Sequence, residues 1–191
     1  MGKGKEKKTG SSNKEVATLI YPPSLYLGPL SAASSSAFLN SHSITLVLSI
    51  GTTPSAQVPG VTYHRLALAD STTSSISKTT DAAVEIIDSA VEGGKKILIH
   101  CSAAVSRSPT IVAAYLMARH KMTLKEALGR LVLARPTVSP NAGFLRQLQE
   151  LEKELYGRVT LDIEEFPKRR EDREKLFKDT TPFTVLDNEQ V

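Results

Sequence analysis

The segment His100-Cys101-Ser102-Ala103-Ala104-Val105-Ser106-Arg107-Ser108 sets a potential nucleophile six positions before a potential anion clamp. Cysteine reacts as its thiolate and can form a covalent intermediate. The planar arginine fork can hold two oxygens of one phosphate, which a lysine ammonium cannot do. The backbone N–H groups of Ser102, Ala103, Ala104, Val105, Ser106 and Arg107 can ring the oxygens of a bound phosphate. The chemistry on offer is nucleophilic attack within a cradle for a tetrahedral oxyanion. A buried structural thiol is the common alternative for a cysteine. The spacing to Arg107 and the elements on either side favour the reactive reading.

Those elements are a short apolar strand, Lys96 to His100, and a helix from about Pro109 to His120. Ser108 suits a helix N-cap and Pro109 a first helical position. A helix N-terminus aimed at the loop favours an anion there, whether thiolate or phosphate. Ligands of open α/β sheets bind beyond the carboxyl ends of the strands, which is where Cys101 falls.

Further strands are expected at Ala17 to Ile20, Leu25 to Leu27, Ile44 to Ile50 and Val61 to Leu68. The Ile44 to Ile50 run is almost wholly apolar, as in a strand buried on both faces. Helices are expected within Ser31 to Asn40, over Asp81 to Val91 (ended by Gly93-Gly94), and over Thr123 to Ala134 and Asn141 to Tyr156. Asp70 to Thr80, rich in Ser and Thr, reads as loop. The alternation predicts an α/β fold with a central mixed, mostly parallel sheet flanked by helices.

The chain of 191 residues, 40% apolar and 23% charged, suits one globular domain. Residues 1–15 read as a disordered basic tail, 16–156 as the catalytic domain and 157–191 as a charged, solvated C-terminal extension. The formal net charge of +4 is mild and partly confined to that tail, so no nucleic-acid partner is expected. No apolar run is long enough for a membrane span. The single cysteine excludes an internal disulfide, and a reducing, cytoplasmic and also nuclear location is expected. His42, His64 and His120 are scattered without metal-ligand spacing. No metal or cofactor is expected, and oligomeric state is not legible.

His-Cys-x5-Arg-Ser resembles the signature of the protein tyrosine phosphatase superfamily, and specifically its small dual-specificity phosphatases. Leu25-Tyr26-Leu27-Gly28 is similar to the family's early strand, and Ala114-Tyr115-Leu116-Met117 to the helix after its loop. Arg135-Pro136-Thr137-Val138-Ser139-Pro140-Asn141-Ala142-Gly143-Phe144, followed by Gln147-Leu148, resembles the family's Arg-Pro…Pro-Asn-x-Gly-Phe segment. The likeness runs from about residue 16 to 156.

That resemblance implies hydrolysis of phosphotyrosine and phosphoserine/threonine in proteins through a phosphocysteine. Cys101 is the implied nucleophile and Arg107 the oxyanion clamp. Asp70, otherwise readable as an Asx-turn residue, is the implied general acid and then base. Ser108 is expected to hydrogen-bond the sulfur, and His100 to brace the loop from behind. Asn141 is equally an N-cap or a brace for neighbouring segments. Position 104 departs from the family pattern: alanine stands where glycine is usual. A methyl group there is expected to strain the loop or crowd an oxyanion. Two alternatives follow, a phosphoprotein-binding module without turnover and a rhodanese-like sulfurtransferase.

Overall fold

A computed structural model describes residues 17–179. The basic tail at 1–15 lies outside the described residues. Among the described residues there are five strands: β1 Thr18–Tyr21, β2 Leu25–Gly28, β3 Ile44–Ile50, β4 Thr62–Leu66 and β5 Lys96–His100. They form one sheet in the order β1-β2-β5-β3-β4. Only β1 with β2 is antiparallel; β2 with β5, β5 with β3, and β3 with β4 are parallel. The mixed, mostly parallel sheet expected from sequence is therefore present, with β5 at its centre.

The sheet separates two apolar layers by side-chain alternation. On one face Leu25, Leu27, Leu48, Ile50, Ile97 and Ile99 join the main core. On the other, Tyr26, Val47 and Leu98 pack with Phe38 and Leu39. The second layer is supplied by two short helices, α1 Leu30–Ala33 and α2 Ser36–Ser41, where a single helical segment was expected. Ser35 divides them because its side chain caps the second, accepting from Phe38 N–H at 3.2 Å.

The main core is covered by α3 Ser77–Glu92, α4 Arg107–His120, α5 Leu124–Ala134 and α6 Ala142–Tyr156. Helix α3 begins four residues before the expected Asp81. Its first turn is polar in composition, yet Thr79 and Thr80 are buried, and the Thr79 hydroxyl donates to Ala67 O at 3.2 Å. That tertiary bond offsets the local polarity that suggested loop. Helix α4 starts at Arg107, so Ser108 is not the N-cap and Pro109 is not the first helical residue. Proline's missing N–H is tolerated anywhere in that unbonded first turn.

The charged C-terminal extension is not a solvated appendage over its described part. Leu161, Phe166 and Phe177 are buried in the main core. The short helix α7, Arg170–Leu176, packs on α5. Buried Glu152 on α6 explains part of the docking. Its carboxylate accepts from Leu124 N–H at 2.7 Å and from the Thr160 N–H and hydroxyl at 2.7 and 2.6 Å. Thr160 Oγ1 also accepts from Lys125 N–H at 3.1 Å, and Thr123 Oγ1 accepts from Glu126 N–H at 3.2 Å. Free N–H groups at the start of α5 are thus satisfied partly from within the extension. Composition hid this because the few apolar anchors lie among many charges. Phe177 is fully buried. Phe177→Ala should lower the unfolding free energy by about 3–5 kcal/mol in urea titrations; a loss below about 1 kcal/mol would mean that the segment does not dock.

Candidate active site

Three parallel strands end side by side and deliver the site. Strand β3 leads to Gly51-Thr52, β4 to Asp70, and β5 to Cys101. The registers Ile50 with Leu66 and Ser49 with His100 bring these ends level. The loop from Cys101 to Ser106 then turns into α4, whose axis starts at Arg107.

Cys101 is buried and free of disulfide. Ser108 Oγ donates to its sulfur at 3.2 Å. A residue in the second helical position thus points back into the loop. Ser106 is the N-cap, and its side chain makes no capping bond. Its hydroxyl instead donates to Asp70 Oδ1 at 2.7 Å and accepts from Asn141 N–H at 3.2 Å. Arg107 Nη1 donates to Thr52 Oγ1 at 3.2 Å, and Nη2 to Ser102 Oγ at 2.8 Å. Its Nε lies 3.8 Å from Asp70 Oδ2. Gly51, at φ +82°, is required here: a Cβ would lie 2.4 Å from Arg107 Nη1.

Asp70 therefore sits against the loop. Its Oδ1 accepts from both Ser106 Oγ and Asn141 Nδ2, the latter at 2.9 Å. With Oδ1 so occupied, Oδ2 is the oxygen turned toward Arg107. Asn141 fills both expected roles at once. Its Oδ1 caps α6, accepting from Phe144 N–H at 3.0 Å, while its amide nitrogen holds Asp70. The Ser/Thr-rich loop after Asp70 is seated on α6. A Cβ on Gly143 would lie 2.0 Å from Thr72 O, so only glycine allows this approach. Gln147 accepts from Ile76 N–H and donates to Ser74 O, both at 2.9 Å.

His100 is fully buried behind the loop. Its Nδ1 donates to Cys101 O at 3.1 Å, since a carbonyl oxygen can only accept. Burial, the first cause, and the Arg107 charge hold its pKa below the ordinary histidine value, against the opposing pull of the Cys101 carbonyl. The ring is therefore neutral near pH 7, and Nε2 accepts from Ser49 Oγ at 2.7 Å. The expected bracing from behind is what these bonds provide.

Ala104 has φ +55°, the left-handed conformation that glycine adopts freely. The residue is fully buried in the main core cluster. Its methyl is packed in that cluster, which also holds Cys101. The expected backbone strain remains, and burial of the methyl offsets part of it.

Sequence reasoning named Cys101, Arg107, Asp70, Ser108, His100 and Asn141, and the structure gathers all of them around the loop, His100 behind it. It missed Ser49, Gly51 and Thr52, and assigned no role to Gln147 or to the side chains of Ser102 and Ser106. The one available signal was Gly51 at a strand end level with the loop.

A nucleophilic cysteine at a strand end, an arginine opening the next helix and an opposed aspartate define a cysteine-dependent oxyanion-binding site on an α/β fold. Residues 25–154 match the family model "Dual specificity phosphatase, catalytic domain". The chain is 41% identical over 132 residues to Dual specificity protein phosphatase 1 of Arabidopsis thaliana, covering 69% of this chain and 67% of that one. It is likewise 41% identical over 134 residues to Dual specificity protein phosphatase 5 of Homo sapiens, but these cover 70% of this chain and only 35% of that longer protein. Among solved structures, human DUSP28 superposes with a TM-score of 0.68 at 30% identity, covering 73% of this chain and 94% of that one. The chain belongs to the dual-specificity phosphatase family of cysteine-dependent phosphatases.

Two outcomes follow. A histidine whose folded-state pKa is depressed takes up protons more readily when unfolded. Its contribution to stability is thus present above about pH 6.5 and is lost as pH falls below that value. His120, also held low chiefly by burial, acts with the same sign. Chemical denaturation from pH 7.5 to 5.5 should therefore show falling stability, with a shallower fall in His100→Gln; equal slopes would exclude His100 as a source. Ala104→Gly should relieve the left-handed strain but lose a buried methyl and add unfolded-state entropy. Its melting free energy should stay within about 1 kcal/mol of the parent. A shift of more than about 2 kcal/mol would show that one term dominates.

Proposed function

We propose that this chain hydrolyses phosphotyrosine and phosphoserine/threonine esters in proteins through a phosphocysteine intermediate. The observation that carries the reading is Cys101 Sγ, bonded by Ser108 Oγ at 3.2 Å, in the loop whose Ser106 and Arg107 meet Asp70. The Cys101 sulfur attacks phosphorus. The ester oxygen leaves with the proton of Asp70. The equatorial oxygens are met by the Arg107 guanidinium and by the N–H groups of the 102–107 loop. Donors fixed in advance cost no reorganisation as charge builds on those oxygens.

In the second step Asp70, now ionised, takes a proton from water as that water attacks phosphorus. The P–S bond breaks and the electron pair returns to sulfur. Ser108 Oγ–H stabilises the thiolate as it leaves. His100 and Ser49 hold the Cys101 carbonyl, which orients the loop amides, and take no proton in either step. No step calls for a metal or a cofactor.

A phosphoprotein-binding module without turnover is the less favoured reading. It drew on Ala104, whose side chain is buried in the main core cluster, and it leaves the seating of Asp70 without a purpose. The absence of Lys or Arg among Ser102 to Val105 suits a singly phosphorylated side chain better than a polyphosphorylated inositol lipid. A lone functional thiol suits a reducing compartment, cytoplasmic or nuclear.

The full chain should release phosphate from 4-nitrophenyl phosphate and from phosphotyrosine and phosphothreonine peptides. Cys101→Ser should abolish turnover, and Asp70→Ala should lower kcat by about 10²–10³-fold. Acid quench of Asp70→Ala during turnover should trap phosphate on Cys101. Parent-level activity in Cys101→Ser would overturn the assignment.

A further inference from the structure

The guanidinium of Arg107 offers two faces to an oxyanion. One is the end, between Nη1 and Nη2; the other is the side, along Nε and one Nη. The end is taken. Nη1 donates to Thr52 Oγ1 at 3.2 Å and Nη2 to Ser102 Oγ at 2.8 Å. The two hydroxyls are themselves 3.1 Å apart, so one can donate to the other. The side face is different. Arg107 Nε is buried and has no hydrogen-bond partner among the described residues. Its nearest anionic atom, Asp70 Oδ2, stands at 3.8 Å. A buried N–H donor without a partner is costly, and a phosphate oxygen would satisfy it.

We propose that Thr52 and Ser102 form a hydroxyl cradle that fixes Arg107 by its end, so that the Nε side meets the phosphoryl group. Thr52 and Ser102 are positioning residues: they act on phosphate through Arg107. The inference rests on the phosphate-ester reading above and deepens it.

Three physical features support the assignment. First, the arginine is held before ligand arrives. The side chain is 14% exposed and both terminal nitrogens are bonded. A pre-ordered arginine loses little rotamer freedom on binding. Second, both partners are neutral. A carboxylate at the same end would cancel much of the charge that phosphate needs, whereas hydroxyls orient the group and leave its charge available. Third, the cradle is built from two strands. Thr52 follows β3 and Ser102 follows β5, and Gly51 between β3 and Thr52 leaves the space that Nη1 occupies. Gly51 N–H bonds Leu66 O at 2.8 Å, which anchors that strand end to β4. The site therefore tolerates no bulk at 51 and needs an oxygen at 52.

The test compares the full chain with Thr52→Val, Thr52→Ser, Ser102→Ala and the Thr52→Val/Ser102→Ala pair. Binding of inorganic tungstate is measured by calorimetry, 4-nitrophenyl phosphate kinetics give KM and kcat separately, and melting temperature reports folding. Thr52→Val should weaken tungstate binding and raise KM by about tenfold, the usual scale for a hydrogen bond to a charged group. The melting temperature should not move. Thr52→Ser should restore binding, because it restores the oxygen. The pair should lose less than the product of the single losses, since both hydroxyls hold one group.

Tungstate binding within about twofold of the parent in folded Thr52→Val and Ser102→Ala would overturn the cradle. So would a loss that Thr52→Ser does not restore. If Thr52→Val does not fold, Ser102→Ala and Thr52→Ser decide the matter by the same readouts. Hydrolysis by the parent with indifferent variants would sink the cradle alone. Tungstate binding that depends on Thr52, in a parent without turnover, would keep the cradle and sink the proposed hydrolysis. A parent that binds no tungstate would end both.

Discussion

One carboxylate oxygen ties the site together. Asp70 Oδ1 accepts from Ser106 Oγ and from Asn141 Nδ2, joining the acid loop, the phosphate loop and the start of α6. Each of these segments would be loose alone, because a loop buries little and fixes few of its dihedrals. The Ser106 hydroxyl gives its proton to Asp70 and accepts from Asn141 N–H, and the N-terminus of α4 is left without a side-chain cap. A helix end so arranged has N–H groups directed at an anion rather than at its own chain.

The support spreads outward from that junction. Ser139 N–H donates to Val105 O at 2.8 Å, so the segment before α6 also holds the middle of the phosphate loop. Farther out, Arg173 in α7 donates to Pro136 O at 2.9 Å through Nη2. The C-terminal segment is thereby linked to the strip of chain that carries Ser139 and Asn141. Residues 155–179 lie beyond the family match yet share its core through Leu161, Phe166 and Phe177. Structural dependence between extension and site is a consequence of this packing.

Two side chains next to the loop are placed by burial rather than by charge. His100 is neutral because solvation is withheld from its charged form, and neutrality gives it one donor and one acceptor for Cys101 O and Ser49 Oγ. Ala104 occupies a backbone region that favours glycine, and its methyl lies in the core.

What the sequence determined by itself is the chemistry and its local frame. Cys101, Arg107, Ser108 and the flanking strand and helix lie within about twenty-five residues, and periodicity reads over that range. Strands β3 and β5 were legible for the same reason: each is a dense apolar run. The tertiary structure decided the partnerships. Ser106 meets Asp70 across 36 residues, Arg107 meets Thr52 across 55, and Ile76 meets Gln147 across 71. A hydroxyl in a sequence gives no sign of which distant donor or acceptor it will satisfy. Thr52 drew no reading, Ser108 read as a cap and the extension as solvated, because local preference ranks conformations of one segment. The choice among polar partners is made only when strands align and burial makes each unsatisfied group costly.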